Sequence, residues 1–234
     1  MASLTRASVS SHLAARDTVR LQQIFRTLNH QSCPTRYNFH MHSIVSDGQL
    51  HPHEIVSQVL EIGLSGFAIT DHHSALGYHV AQRRLEEKRQ QNPQRALPQL
   101  WTGVEINAEL LGTEVHILGY GFDSEHPAIQ RYLQGEKVTG NHFTARYTID
   151  AIHTAGGLAV LAHPCRYRKS AEELIPAAAA LGIDGAEAFY AYRKAQPWTP
   201  SKVQTELVCR LNRKHSLFGT CGTDTHGRDL TNRV

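Results

Sequence analysis

The feature that most limits what this chain can fold into is a pairing repeated along its length. A short apolar, β-prone run carries a histidine, aspartate or glutamate at or just past its carboxyl end, and a helical pattern follows. Such runs fall at residues 37–42, 66–70, 100–106, 114–121, 158–162, 184–188 and 216–221. Strand-like and helix-like segments in alternation are the mark of parallel βα units. Seven strands with intervening helices predict an α/β fold, a closed or nearly closed barrel, and the active sites of such barrels lie at the carboxyl ends of the strands.

The predicted helices are bounded by recognisable signals. Pro52 opens one that ends at Gly63, with Ile55, Val56, Val59, Leu60 and Leu64 on its buried face. Others are expected at residues 81–91, 127–134, 137–154, 171–181 and 201–214, the fifth strand being preceded by Gly156-Gly157. Ser11 is expected to cap an extra helix running to about residue 29, giving residues 1–36 as a tail plus helix and 37–234 as the barrel. The fourth strand is expected to pair with the third through a Leu111-Gly112 turn.

The first strand shows the chemistry most plainly. In FHMHSIVSDG, His40 and His42 are two residues apart, so on a strand both imidazoles point to one side, their Cα atoms about 6.5–7 Å apart. Asp47 follows in a Ser-Asp-Gly turn that can fold its carboxylate back over them. At the other strand ends stand His72 and His73 in Thr-Asp-His-His, Glu105 in Gly-Val-Glu-Ile, His163 in Leu-Ala-His-Pro, and Asp224 and His226 in Gly-Thr-Asp-Thr-His-Gly, with His116 within the fourth strand. Burying so many ionisable groups together is costly unless they pair or bind metal. Metal binding is therefore expected. Nitrogen and oxygen donors without thiolate favour Mn, Zn or Fe over a structural cysteine zinc site. The nine residues His40, His42, Asp47, His72, Glu105, His116, His163, Asp224 and His226 are too many for one ion. Two or three divalent ions are implied, an arrangement suited to phosphate-ester hydrolysis because it stabilises entering and leaving oxygens together.

Around this set, Arg166 is placed to hold a phosphate oxygen with its guanidinium fork, with Arg168, Lys169, Arg193 and Lys194 as a wider basic rim. Tyr190, Tyr192 and Trp198 are candidates for stacking on a base. Glu187 and Asp71 are candidates for orienting the metal-type residues, and His73 for protonating a leaving group.

Composition sets outer limits. With 24 Lys and Arg against 21 Asp and Glu, charge makes no case for a membrane or extended nucleic-acid surface. The 16 histidines are the unusual count. Four widely spaced cysteines without a Cys-x-x-Cys pair suit a reducing, cytoplasmic setting. No apolar run approaches the length of a bilayer span. Residues 1–10, MASLTRASVS, lack a hydrophobic core and are read as a terminal tail.

The ordered set FHMHS-SDG, ITDHH, GVEI, VHILGYG, LAHP-R and GTDTHG resembles the polymerase and histidinol phosphatase (PHP) family over residues 38–227. The resemblance implies a distorted seven-stranded barrel, a trinuclear metal centre and phosphoesterase activity. It assigns His40, His42, Glu105 and Asp224 to one ion, Glu105 (bridging), His116 and His163 to a second, and Asp47, His72 and His226 to the third. The nearest branch acts on nucleotides, as 3′,5′-bisphosphates or RNA ends. A histidinol-phosphate-type monoesterase is the alternative, and a non-catalytic metal-stabilised barrel that binds nucleotide or protein is the other. The chain departs from the family at His73, where aspartate is usual, and in the short connection between the fourth and fifth strands.

Overall fold

A computed structural model of the chain describes residues 13–194 and 196–233. The Ser11 cap and the tail at residues 1–10 lie outside the described residues. Among the described residues there are eight strands rather than seven, in two sheets. The first sheet is parallel and contains β1 (Tyr37–Asn38), β2 (Gly66–Ala68) and β3 (Gln99–Trp101). The second runs in the order β4 (Gly103–Leu110), β5 (Thr113–Tyr120), β6 (Leu158–Leu161), β7 (Gly185–Phe189) and β8 (Phe218–Cys221). Strands β4, β5 and β6 are antiparallel neighbours, whereas β6, β7 and β8 are parallel. Leu111 and Gly112, at φ 53° and 72°, form the expected hairpin turn, the positive pair that matches strand twist in a two-residue loop.

The extra strand comes from a break in the run expected at residues 100–106. At Thr102 the backbone N–H turns away from both sheets to Ala15, while the Thr102 hydroxyl donates to the Phe122 carbonyl at 2.8 Å. Gly103 then passes so close to the Ile69 carbonyl that a Cβ would lie 2.4 Å from its oxygen. The chain thereby leaves one sheet and enters the other.

Nor do the sheets close into a barrel through continuous ladders. Their two seams are spanned by isolated bridges, Met41 with Thr225 and His72 with Glu105. Backbone bonds from Phe39 to Cys221, Asp224 to His40 and His42 to Thr225 stitch the first seam. The segment carrying His40 and His42 is thus extended but lies between the sheets, and β1 itself is only two residues long.

Helices cover both sheets. Thr18–Phe25 inserts Leu21 and Phe25 into a cluster with Phe39, Trp101 and Tyr120, and the Phe25 and Phe39 rings meet edge to face at 5.1 Å. Pro52–Ile62 and Leu76–Gln91 pack on the first sheet through Ile55, Val56, Val59, Tyr78 and Leu85. In the first of these, Glu54 accepts from the His51 N–H at 2.7 Å, and Gly63 ends the helix at φ 82°, the left-handed value that glycine adopts without strain. The helix expected at 81–91 begins earlier because the Ser74 hydroxyl accepts from the Leu76 N–H and starts the turn. The helix expected at 137–154 is divided into a single 3₁₀ turn, Gly140–Phe143, and Ala145–Thr154, with Gly140 at φ 62°. The helix expected at 127–134 shrinks to the single turn Pro127–Gln130. Ala171–Ala180 and Lys202–Lys214 complete the cover of the second sheet. Among the described residues no helix is long and apolar enough to cross a membrane, and all four cysteines are free thiols.

Candidate metal centre

The expected residues converge at the seams. Glu105 sits at the centre, buried beneath them. Its Oε2 lies 3.0 Å from His40 Nε2 and 3.0 Å from His42 Nε2. Its Oε1 lies 2.7 Å from His116 Nδ1 and 3.2 Å from His163 Nε2. Asp224 Oδ1 lies 3.3 Å from both His40 Nε2 and His42 Nε2. On the solvent side, Asp47 Oδ2 lies 3.2 Å from His226 Nε2 and 3.8 Å from His72 Nε2.

Local backbone places these groups. Gly222 lets the stretch leading to Asp224 press against the first strand, since a Cβ there would lie 2.2 Å from His40 Cβ. Gly48 lets the 43–48 turn fold over His42, where a Cβ would meet the His42 carbonyl oxygen at 2.3 Å. That turn is anchored by Asp71, which accepts from the Ser43 N–H (2.6 Å), the Ser43 hydroxyl (2.8 Å) and the Ser46 hydroxyl (3.0 Å). His163 and Asp224 hold φ values of 26° and 51°, sparsely populated conformations that cluster at functional sites.

The nitrogen and oxygen atoms fall into three groups whose members lie within 4.8 Å of one another: His40, His42, Glu105 and Asp224; His72, Glu105 and His116; and His42, Asp47, His72 and His226. These groups could each hold an ion. In the second, His72 stands where the family resemblance put His163, because the backbone bridge between His72 and Glu105 brings that imidazole to 3.6 Å from Oε2. His163 stays on the Oε1 side, its ring 5.6 Å from that of His40.

Electrostatics supports the fit. Burial alone would raise the Glu105 carboxyl, yet His40, His116 and His163 hold it well below the usual carboxylate range. Asp224 is likewise depressed by His40, His42 and His163 against its own burial. Burial would lower His40, but Glu105, Glu187 and Asp224 hold it well above its usual value, and His42 is pushed up to about 9 against its burial by Asp224 and Glu105. His72, which burial dominates, is lowered to about 4. His42 Nε2 is buried 3.0 Å from Glu105 Oε2 and 3.3 Å from Asp224 Oδ1, yet makes no well-directed hydrogen bond to either. An imidazole nitrogen so placed between ionised carboxylates is what a divalent cation would satisfy.

The surrounding residues fix orientations. Glu187 is fully buried and pairs with His40 Nδ1 at 3.1 Å while accepting from the His163 N–H at 2.9 Å. This leaves His40 Nε2 facing the group, the usual arrangement behind a metal-binding imidazole. The Tyr190 hydroxyl donates to Asp224 Oδ2 at 2.6 Å, and Arg166 Nη1 donates to the same oxygen at 2.9 Å.

Three expectations meet a different geometry. Tyr190 is fully buried with its ring 5.4 Å from His163, so it presents no face to a base. Tyr192 accepts from the Cys165 N–H at 3.1 Å, and Trp198 is buried too. His73 turns out of the cluster and pairs with Asn107 Oδ1 at 3.0 Å, buried and at φ 52°. A catalytic proton transfer by His73 therefore has no geometric support. Arg166 is half-exposed at the mouth but already engaged with Asp224. Arg168 is exposed on the loop, and Lys169 is drawn to Glu173 at 2.8 Å.

The sequence reading passed over two residues here. Asn107 stands two positions after Glu105 on β4 and opposite His116 on β5, so period-two spacing could have found it. Arg233, near Asp224 and Tyr190, carries no local signal.

The PHP domain profile matches residues 38–154, half of the chain. The chain is 26% identical over 262 positions to a 5′-3′ exoribonuclease of Haemophilus influenzae, covering 82% of this chain and 90% of that one. It is 27% identical over 258 positions to the 5′-3′ exoribonuclease Rnm of Escherichia coli, covering 81% and 85%. Both matches run over more positions than this chain has residues, so these relatives carry residues that it lacks. Among solved structures, a protein from Bifidobacterium adolescentis described as a metal-dependent phosphoesterase superposes with a TM-score of 0.66 at 23% identity, covering 85% of this chain and 91% of that one. An amidohydrolase from Chromobacterium violaceum gives 0.68 at 20%, covering 85% and 90%. These likenesses show the fold, and with the profile match and the convergent cluster the chain belongs to the PHP domain family.

Proposed function

We propose that this hydrolase cleaves phosphate esters of nucleotides, at the 5′ ends of short RNA or in nucleoside 3′,5′-bisphosphates, with a trinuclear centre of Mn, Zn or Fe. The observation that carries the reading is the sharing of Glu105, whose two carboxylate oxygens face four imidazoles. In this reading His40, His42, Glu105 and Asp224 hold one ion, Glu105, His116 and His163 a second, and Asp47, His72 and His226 the third. Divalent ions bound there would supply Lewis acidity and lower the pKa of water.

The protein's own groups divide the remaining work. Glu187 and Tyr190 hold His40 and Asp224 in orientation. Arg166, half-exposed beside Asp224, presents a guanidinium edge to the substrate phosphate. RNA ends are favoured because relatives matched over four-fifths of the chain are named 5′-3′ exoribonucleases. The test is elemental analysis of Mn-loaded protein followed by hydrolysis of a 5′-phosphorylated oligoribonucleotide, p-nitrophenyl phosphate and histidinol phosphate. Release of nucleoside monophosphates from the RNA supports the reading. Turnover of histidinol phosphate alone would replace it with the monoesterase, and no turnover with metal bound would leave a binding protein.

A further inference from the structure

Away from the metal-type cluster, an open cleft of about 410 Å³ lies where the end of the helix Thr18–Phe25, the helix Lys202–Lys214 and β8 come together. None of the nine metal-type residues lines it. Its size falls within the range of roughly 300–1,000 Å³ usual for small-molecule sites.

Gly219 forms part of the floor. Nearby glycines are demanded by backbone: a Cβ at Gly185 would lie 2.7 Å from the Phe218 carbonyl oxygen, and one at Gly222 2.6 Å from the His40 nitrogen. At Gly219 a Cβ would meet the Ala188 Cβ at 3.4 Å, Asn212 Nδ2 at 3.7 Å and Phe189 at 3.8 Å, all ordinary contacts. No contact among the described residues therefore requires glycine here. Glycine weakens a strand, and in a strand it often marks the close approach of a ligand. Beside it Asn212 is 3% exposed. Its Nδ2 donates to the Ala186 and Phe218 carbonyls, each at 3.0 Å, and two carbonyl acceptors fix which end of the amide is nitrogen. Oδ1 is left buried with no hydrogen-bond partner among the described residues. A buried acceptor left so costs free energy that an incoming N–H recovers.

The rim is cationic. Arg26 Cζ stands 5.1 Å over the Phe218 ring, and Arg213 Nε donates to the Cys209 carbonyl at 3.3 Å. Both guanidiniums are exposed, and neither is paired with a carboxylate among the described residues. A second cleft that Phe189 also lines, of about 400 Å³, carries Lys202 but also the Glu206 carboxylate. The cleft at Gly219 is the better anion site. Aromatic walls, an orphaned amide acceptor and two guanidinium forks suit a planar base with an N–H edge and a phosphate. A simple aromatic acid would leave Asn212 Oδ1 unsatisfied, and inorganic phosphate would leave the walls uncovered.

We infer that this cleft binds a nucleoside monophosphate, with the base against Phe189 over Gly219, its N–H edge toward Asn212 and its phosphate at Arg26 and Arg213. The inference goes beyond the proposed hydrolysis and rests on it only for the origin of the ligand, since nucleoside monophosphates are what that reaction would release. The site would hold them outside the metal centre.

Two half-buried thiols report on the two places separately: Cys209 lines the cleft, and Cys165 follows His163 by two positions. Mn-loaded protein is alkylated with N-ethylmaleimide with and without adenosine 5′-monophosphate. The ratio of labelling rates at each cysteine is read by peptide mass, with calorimetry in parallel. The nucleotide is expected to slow Cys209 labelling saturably. Arg26→Ala and Arg213→Ala should each weaken that protection by about ten-fold, the lower end for a charged hydrogen bond, and Gly219→Val, which fills the floor, should abolish it. Should the valine variant fail to fold, the arginine variants decide alone. Their hydrolysis of an oligoribonucleotide at low product concentration should match wild type. Adenosine and inorganic phosphate, each meeting half of the site, should protect only at much higher concentration. Cys209 labelling indifferent to the nucleotide, or protection confined to Cys165, overturns the inference. So does protection that both arginine variants retain in full, that adenosine or phosphate alone reproduces, or that an oligoribonucleotide gives and the monophosphate does not. A protein that binds the nucleotide at Cys209 but hydrolyses no phosphate ester would keep the inference and overturn the proposed function instead.

Discussion

The inner and outer parts of the cluster sit side by side but are built differently. His40, His42, Glu105 and Asp224 are all buried and are backed by Glu187, Tyr190 and Arg166. Asp47, His72 and His226 are 54%, 23% and 30% exposed, and Asp47 hangs on the 43–48 turn. Inner positions are set by strand ends and a rigid polar layer; outer ones depend on a loop tied down through Asp71. Preorganised donors lose little freedom on binding an ion, whereas loop donors must be ordered. The inner site is therefore expected to bind metal tightly and the outer one to exchange.

The largest effect that would break this contrast is expected from Glu105→Gln. Because Glu105 faces His40, His42, His116 and His163, its loss should release two ions together and abolish hydrolysis, as read by elemental analysis and assay. Retention of full metal content would show that the groups are independent. Asp47→Asn should remove only the exchanging ion, recoverable with excess Mn. If chelation removed all ions at one rate from wild type, the inner and outer sites would not differ.

A smaller change tests the backing layer. Glu187→Gln keeps the shape but weakens the acceptor behind His40, and loss of such outer partners typically costs about 10–100-fold in metal affinity. The expected signature is weaker inner binding with the outer ion unaffected, measured by competition with a chelating dye.

The mildest test uses protons. In the metal-free chain His42 is raised to about 9 by Asp224 and Glu105, so at neutral pH it is protonated and must lose its proton to bind an ion. His72, lowered to about 4 by burial, is already neutral. Inner affinity should rise with pH up to about 9, whereas His72 contributes no such dependence to the outer site above about 4. Titrating Mn into weakly buffered protein at pH 7 should release protons in the first, tight phase. Proton release confined to the weak phase would reverse the assignment of tight and loose sites.

Which donors are present, and that strand ends carry them, is legible in the residue pattern alone. His40 and His42 share a side because a strand repeats every two residues, and Glu187 stands behind His40 as its strand-end position suggested. Gly48 is legible as a turn residue, though the close approaches that require it and Gly222 are not. Tertiary structure alone decided the rest. The run at 100–106 divides at Thr102 because its N–H finds Ala15, more than eighty positions away. Tyr190 became a buried donor to Asp224 and His73 a partner of Asn107, although both residue types suit a cleft surface. Arg233 meets Tyr190 only through the packing of the segment after β8 against the end of β7. Local periodicity fixes the side of a strand from which a group projects; which distant group it meets there depends on packing between segments that the pattern leaves independent.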